Sequence, residues 1–338
     1  MSPRGGAPSA RPGRGLPVAV DAMGGDRAPT EIVAGARLAA DEGIPVLLVG
    51  PPAQVGDTAG LDLLACTEVI AMDEDPAQGV RRKKDSSLVR SAELVRDGLA
   101  SAMVSAGNTG ATMASALLRM GRLRGVSRPC IATPIPRLDR PPAILVDAGA
   151  NAECTPAMLV QFAQMGAAYA AERYGIGDPA VALLSIGEER TKGTPLVKET
   201  AAALEAGVPG VRFVGNVEGR DLLDCPADVV VTDGFTGNVA LKTAEGTLRF
   251  VMGLLLGVFS TDEETKAAAA VLLPHLEPLV RVLDPDNTGG AMLLGVDGVC
   301  VISHGSSSAT AILNAVRAAH ELGTGGLVER LAKAVSPA

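Results

Sequence analysis

Apolar residues along this chain gather into short continuous runs, and most runs stop at a glycine-rich polar loop that leads into a helical pattern. Leu16-Pro17-Val18-Ala19-Val20-Asp21 reads as a first strand and Ala22-Met23-Gly24-Gly25-Asp26 as its loop. Pro29 then opens a helix with apolar positions at Ile32, Val33, Ala36, Leu38 and Ala39. Residues 44–49 and 68–72 have the near-continuous apolar character of strands buried on both faces of a parallel sheet. Residues 86–99 repeat at helical spacing and lead into a strand over 101–104, the loop 105–112 and a helix from Met113. Further strands are read at 130–135, 143–146, 180–186, 229–231 and 299–302. Thr155-Pro156 and Thr194-Pro195 each start a helix by a cap followed by proline.

The pattern predicts an α/β fold with a mostly parallel sheet. Six of these strands end in loops of glycine and polar residues, and in open α/β sheets ligands bind outside the carboxyl ends of the strands, so the loops are expected to face one cleft. No Gly/Ser linker divides the chain after residue 16, which predicts one domain over 16–335. Residues 1–15, rich in Gly, Pro, Ser and Arg, lack the apolar centre of a signal peptide and read as a disordered tail. A helical apolar excursion is expected near 236–283, where Phe250 to Phe259 is apolar almost all round. Such a run is too short for a bilayer, which needs about 20 residues. Core, dimer interface and interfacial membrane contact are its open readings.

Composition narrows the core and the partners. The chain is 47% hydrophobic but only 2% aromatic with no Trp, so Ala, Val, Leu, Ile and Met must fill the interior. A net charge of −8 and the lack of an aromatic-studded basic stripe argue against nucleic acid. Two basic islands stand out on this acidic background, Arg81-Arg82-Lys83-Lys84 and the series Arg119, Arg122, Arg124, Arg128. Each suits either a solvated face or the steering of an acidic partner. Five scattered cysteines without metal-ligand spacing predict reduced thiols rather than disulfides or a zinc site.

The candidate chemistry sits in the loops. GxGxxG, GxxxxGK[ST] and GxSxG are all absent. In Ser105-Ala106-Gly107-Asn108-Thr109-Gly110-Ala111-Thr112, the two glycines would permit left-handed φ and close approach, and backbone N–H groups would point at an anion such as phosphate. A tight turn into a helix would use the same residues. His304 differs from the other two histidines in following a strand directly. Glu188, Glu189 and Lys192 share one loop, and Asp147 with Asn151 and Asp233 with Asn238 supply two acid and amide pairs. These groups could orient an anion or hold Mg²⁺ with a carboxylate substrate, so residue types leave the reaction open.

Seven motifs occur in order: residues 21–26 (DAMGGD), 105–110 (SAGNTG), 147–151 (DAGAN), 188–193 (EERTKG), 232–238 (TDGFTGN), 289–295 (GGAMLLG) and 304–307 (HGSS). On them the chain closely resembles the bacterial phosphate acyltransferase family over residues 16–333. One departure is Arg27, where that family carries a histidine. The resemblance implies a three-layer α/β/α fold similar to phosphate acetyltransferases and isocitrate dehydrogenases. It implies transfer of a fatty acyl group from acyl carrier protein to inorganic phosphate, giving acyl phosphate for phospholipid synthesis, with no cofactor and no metal. It further implies a cytoplasmic homodimer loosely attached to the inner face of the membrane through Leu248 to Phe259, delivering product to a glycerol-3-phosphate acyltransferase.

The residues expected to carry the reaction are Lys192, His304, Asn108, Asp233 and Asn238. Phosphate and substrate binding is expected of Asp21, Gly24, Gly25, Asp26, Gly107, Thr109, Gly110, Asp147, Asn151, Glu188, Gly193, Ser306 and Ser307. Acyl carrier protein would dock on Arg81, Arg82, Lys83, Lys84, Arg122 and Arg124. With no serine elbow and no patterned cysteine, direct attack by phosphate is expected rather than an acyl-enzyme. Two alternatives compete: a metal- and NAD(P)-dependent decarboxylating dehydrogenase, which shares the implied fold, and a non-enzymatic membrane scaffold.

Overall fold

The computed structural model describes residues 15–138 and 140–336. The tail expected over 1–15 lies, but for Gly15, outside the described residues. In chain order the strands are β1 (Val18–Asp21), β2 (Val46–Gly50), β3 (Asp62–Ala65), β4 (Ala102–Ser105), β5 (Cys130–Ile135), β6 (Ala143–Val146), β7 (Ala180–Ser185), β8 (Arg212–Glu218), β9 (Val229–Val231), β10 (Ala291–Leu294) and β11 (Cys300–Ile302). The helices are α1 (Thr30–Asp41), α2 (Pro52–Val55), α3 (Pro76–Arg82), α4 (Ser87–Arg96), α5 (Thr109–Arg119), α6 (Pro156–Tyr174), α7 (Pro195–Glu205), α8 (Gly234–Phe259), α9 (Glu263–Leu283), α10 (Ala309–Gly325) and α11 (Leu327–Ala334). The chain forms two compact units, one taking in the chain up to Leu123 with Gly289–Glu329, the other Arg124–Thr288 with the chain from Arg330 onward. No Gly/Ser linker marks any of the three crossings.

In the first unit the strand order is β3-β2-β1-β4-β11-β10, parallel except for β10 against β11. Val20 pairs with both Leu48 and Val104, and Val104 with Val301, so β1, β4 and β11 run side by side and end together. Their residues are buried on both faces, as the apolar runs require. Helices α1 and α10 pack on each other and on β1, while α4 and α5 pack on each other and α4 covers β1, β2 and β4, which gives three layers. The α1–α10 approach depends on Gly35, where a Cβ would lie 2.5 Å from Ala309 O and 2.6 Å from Ile312 Cβ.

In the second unit the order is β5-β6-β9-β7-β8, parallel except for β5 against β6. Helix α6 lays Leu159, Phe162 and Met165, all fully buried, against the sheet, and Gly166 lets it come close, since a Cβ there would meet Val229 Cγ1 at 2.7 Å. Arg137, after β5, is buried. Its guanidinium donates to the carbonyls of Pro141, Cys225 and Ala227 and to Asp228 Oδ1 at 2.7 to 3.1 Å. Asp228 Oδ2 in turn accepts from Ala180 N at 2.9 Å, tying β5, β7 and the approach to β9 at one point.

The apolar excursion is a pair of helices, α8 and α9, packed on each other. On α8 only Gly234, Gly237 and Leu241 are buried, and Phe250, Leu254 and Val258 are more than half exposed, so this stretch is not core within its unit. Among the described residues no helix is long and apolar enough to cross a membrane.

The sheet departs from the expected one in three places. The run at 68–72 is a loop, touching the fold as a strand only where Glu68 bridges Ser86. Of its apolar side chains only Ile70 is buried, packed under Gly79 of α3. The strand in that region is β3, an edge strand whose half-exposed Asp62-Leu63-Leu64-Ala65 gives little apolar signal. Strands β8 and β10 were not anticipated. One is an edge strand with a bulge opposite Val181 and Ala182, the other a short antiparallel return.

Candidate functional site

In the first unit the loops after β1, β4 and β11 are bound to one another at the carboxyl end of the sheet. Asp21, at the end of β1, is buried. Its Oδ2 accepts the Ser105 hydroxyl at 2.7 Å and its Oδ1 accepts Met23 N at 3.2 Å. Ser105 Oγ accepts Gly107 N at 3.0 Å, so one hydroxyl links the ends of β1 and β4. Burial pushes the Asp21 carboxyl up, while bonds from Ser87, Ser105 and Met23 pull it back. This carboxylate braces the loops rather than facing a ligand.

Gly24 lies where a Cβ would be 2.6 Å from Gly107 N and 2.7 Å from Asp21 Oδ2, and Gly25 has φ +110°. Asp26 N donates to Gly305 O at 2.7 Å, binding this loop to the one after β11. Gly107 and Gly110 do not take the left-handed φ expected of them. What they supply is close approach, Gly107 beside Gly24 and Gly110 against Pro76, 2.7 Å from a built Cβ.

Asn108 is fully occupied. It caps α5 by accepting Ala111 N at 3.0 Å, and its Nδ2 donates to Met72 O and Glu74 O. The expected catalytic side chain is therefore a clamp between the 72–74 segment and α5. Thr109, next to it, is exposed. Ser307 is buried and bonded to Ser303 Oγ and His304 O, whereas His304 and Ser306 are exposed.

The loops after β1, β4 and β11 lead into α1, α5 and α10, and a helix N-terminus attracts negative charge. That of α10 already holds one, because Ala309 N donates to Glu31 Oε2 at 2.7 Å. Glu31 also stands in the first turn of α1, whereas the first turn of α5 has no acidic residue, which leaves the start of α5 receptive to an anion. Glu31→Ala is expected to cost about 1 kcal/mol, as loss of a charged cap does. Glu31→Gln, which keeps an acceptor, should cost less, and a shift in urea midpoint reads both.

In the second unit β6, β9 and β7 also end together. Asp147 is fully buried and accepts from Ile131 N, Gly149 N, Ala150 N, Asn151 N and Asn151 Nδ2 at 2.7 to 3.3 Å. Burial raises its pKa and these donors lower it. Asn151 Nδ2 also reaches Pro129 O at 2.8 Å. Asp233 is the cap of α8, taking Thr236 N and Thr236 Oγ1. Gly149, at φ +138°, packs against Asn238, and a Cβ on Gly237 would stand 2.0 Å from Asp147 O. The acids Asp21, Asp147 and Asp233 thus hold loops in place, and Asn238 is left exposed.

The loop after β7 exposes Glu188, Glu189 and Lys192. Arg190 pairs with Glu205 at 2.8 Å, and Gly193, at φ +96°, leaves no room for a Cβ beside Ser185 Oγ. Beneath it lies a cavity of about 360 Å³ lined by Glu188, Arg190, Glu205, Phe213 and Asn216. Two carboxylates against one guanidinium make it a poor seat for an anion.

Of the basic island on α3, Arg81, Arg82 and Lys84 are exposed, but Lys83 turns inward to Val69 O at 2.7 Å and Glu74 Oε2 at 2.5 Å. Arg122 and Arg124 are exposed, and Arg119 faces Glu93 at 3.7 Å. All five cysteines are free thiols, four of them buried. Burial pushes Cys66 and Cys300 up to about 12 and Cys154 up to about 11, with Asp147 and Asp233 adding to the rise at Cys154. Among the described residues no group of three or more His, Cys, Asp or Glu is placed to hold a metal ion.

Sequence reading missed Glu31 and Ser105. A carboxylate 278 residues from its partner leaves no local pattern, whereas Ser105 stood in a motif already singled out.

Comparison with known proteins bears on the whole chain. A family described as fatty acid synthesis protein matches residues 16–330. The phosphate acyltransferase of Anaeromyxobacter sp. (strain K) is 46% identical over 334 residues, covering 96% of this chain and 92% of its own. That of Heliobacterium modesticaldum is 47% identical over 314 residues, covering 90% and 93%. Among solved structures, a phosphotransacetylase from Streptococcus pyogenes matches with TM-score 0.59 at 18% identity, covering 92% of this chain and 95% of its own. A branched-chain phosphotransacylase from Enterococcus faecalis V583 matches with TM-score 0.60 at 16% identity, covering 91% and 99%. At such identities the structures establish the fold, which is the α/β class expected from the apolar runs.

Proposed function

The chain belongs to the fatty acid synthesis protein family alongside phosphate acyltransferases, and on that premise we propose that it moves a fatty acyl group from acyl carrier protein to inorganic phosphate, giving acyl phosphate for phospholipid synthesis. Near-half identity over nine-tenths of the chain carries this reading, and it also separates it from the dehydrogenase and scaffold alternatives.

A phosphate oxygen bonds to the thioester carbonyl carbon, the carbon–sulfur bond breaks, and the proton that hydrogenphosphate gives up goes to the departing sulfur. The products are acyl phosphate and a free thiol. Backbone N–H groups at Thr109 and Gly110 would receive the phosphate, because Glu31 stands in the first turn of α1 and fills the start of α10. In the first unit His304 would carry the proton, with Ser306 as an exposed polar contact; in the second, Lys192 is an exposed cation suited to stabilising charge on a carbonyl oxygen, and Asn238 an exposed amide.

Attack is direct. A covalent route through cysteine needs a thiolate, and the thiols here are buried or raised well above neutrality, while GxSxG is absent. Cys154, the half-exposed one, lies beside two acids and no base. At pH 8 about 0.1% of it is thiolate, given a pKa of about 11. Alkylation of Cys154 by iodoacetamide should therefore be slow at pH 8 and rise about tenfold per pH unit towards pH 10. Cys154→Ser should keep activity within about twofold.

The decisive assay mixes the protein with acyl-acyl carrier protein and phosphate and traps acyl phosphate with hydroxylamine. Product dependent on phosphate is expected, and none above a phosphate-free control would refute the reading. Arg81, Arg82 and Lys84, with Arg122 and Arg124, would steer the acidic carrier protein. The exposed Phe250, Leu254 and Val258 favour peripheral contact with the inner face of the cell membrane. Val271, Leu272 and Leu273 on α9 favour a homodimer, and the unstable product suits direct delivery to a glycerol-3-phosphate acyltransferase.

A further inference from the structure

Two apolar side chains at the carboxyl end of the second unit's sheet stand in water. Ile186 is 80% exposed and Phe235 is 66% exposed. They lie just beyond neighbouring strands, Ile186 after the end of β7 and Phe235 in the first turn of α8 after β9; Leu183 of β7 pairs with Val231 of β9, and the two residues follow those partners by three and four positions. Val239, one turn further along α8, is also about half exposed.

Each adjoins a glycine that has close neighbours in the loops. At Gly187 a Cβ would lie 2.7 Å from Lys192 Cγ and 2.9 Å from Glu189 Oε2. At Gly234 it would lie 2.7 Å from Asn151 O, 2.8 Å from Asn151 N and 2.8 Å from Asp147 Oδ2. Phe235 thus projects from beside the Asp147 hub and Ile186 from beside the turn at Lys192. An aromatic ring and a β-branched side chain also lose little rotamer freedom when something packs on them.

We infer that Ile186 and Phe235 seat the part of the hydrocarbon chain beyond the fourth carbon and set a preference for long over short acyl groups. This rests on the acyl-transfer reading. The loops that carry the two residues also carry Lys192 and lead to Asn238, so a molecule with one polar reacting end and a long apolar remainder matches them in one piece. A wholly polar ligand would gain nothing from either side chain.

Ile186→Ser, Phe235→Ser and the double variant, made in the full chain, are compared with the unsubstituted protein on palmitoyl- and butyryl-acyl carrier protein at fixed phosphate. The kcat/KM for palmitoyl transfer should fall about tenfold in each single variant and further in the double, while butyryl transfer changes less than about twofold. Unchanged melting temperatures are expected because both side chains are exposed. Equal losses on the two donors, or no loss on either, overturn the inference. Equal losses together with a shift to monomer in sedimentation would assign the pair to contact between copies of the chain instead. If the unsubstituted protein makes acyl phosphate from neither donor, the acyl-transfer reading itself fails and takes this inference with it, a result seen before any variant is compared.

Discussion

Gly237→Ala is expected to destabilise the second unit by about 3 kcal/mol or more, at the upper end of what overpacking costs. The added methyl would sit 2.0 Å from Asp147 O and 3.0 Å from Thr232 Cγ2. Neither obstacle can yield easily. Asp147 N donates to Thr232 O and Thr232 N to Val146 O, and the Asp147 carboxylate is gripped by donors from three successive residues and from Ile131. The strain must then fall on α8, whose first turn is seated on this hub. A lower urea midpoint and loss of transfer activity are the readouts. Gly246→Ala in the same helix is the control, since a Cβ there meets nothing within 4 Å. It should stabilise by up to about 1 kcal/mol through helix propensity alone.

Arg137→Ala should cost about 3 to 5 kcal/mol, the range for removing one partner of a buried ion pair. Three backbone carbonyls, those of Pro141, Cys225 and Ala227, lose a charged donor at once, and Asp228 keeps only the Ala180 N–H. Arg137→Lys should recover little, because a single ammonium cannot reach all four acceptors that the guanidinium fork spans. Arg137→Met with Asp228→Asn should cost less than Arg137→Ala alone if the penalty comes from stranded charge. Thermal or urea unfolding of the three variants separates these outcomes.

The buried parallel strands were legible because burial on both faces writes an uninterrupted apolar run, as in Val18-Ala19-Val20 and Val229-Val230-Val231. Strands at an edge write a weaker one. Asp62–Ala65 and Arg212–Glu218 went unseen for that reason, and Glu68 to Met72 imitated a strand by its run of apolar residues although only Ile70 is buried, under α3. The loops were found by their residue types, but not the division of labour inside them. Asp21, Asn108, Asp147 and Asp233 look like reacting groups in the sequence, and each spends its hydrogen bonds on the backbone around it. Donors that lie far off in the chain, or on the main chain, leave no mark in side-chain spacing. Lys192, His304 and Asn238 remained exposed, and that difference is visible only once the loops are folded.

The carboxylate of Glu31 at the start of α10 has a consequence for how this protein meets the salts around it. Sulfate, chloride and free nucleotides compete for an open helix end in proportion to their concentrations, but a tethered carboxylate is present at a local concentration that no dissolved ion matches. The neighbouring end, at α5, is therefore the one exposed to that competition. Which ion it takes is left to the chemistry of the solution, while occupancy at α10 is inherited with the chain.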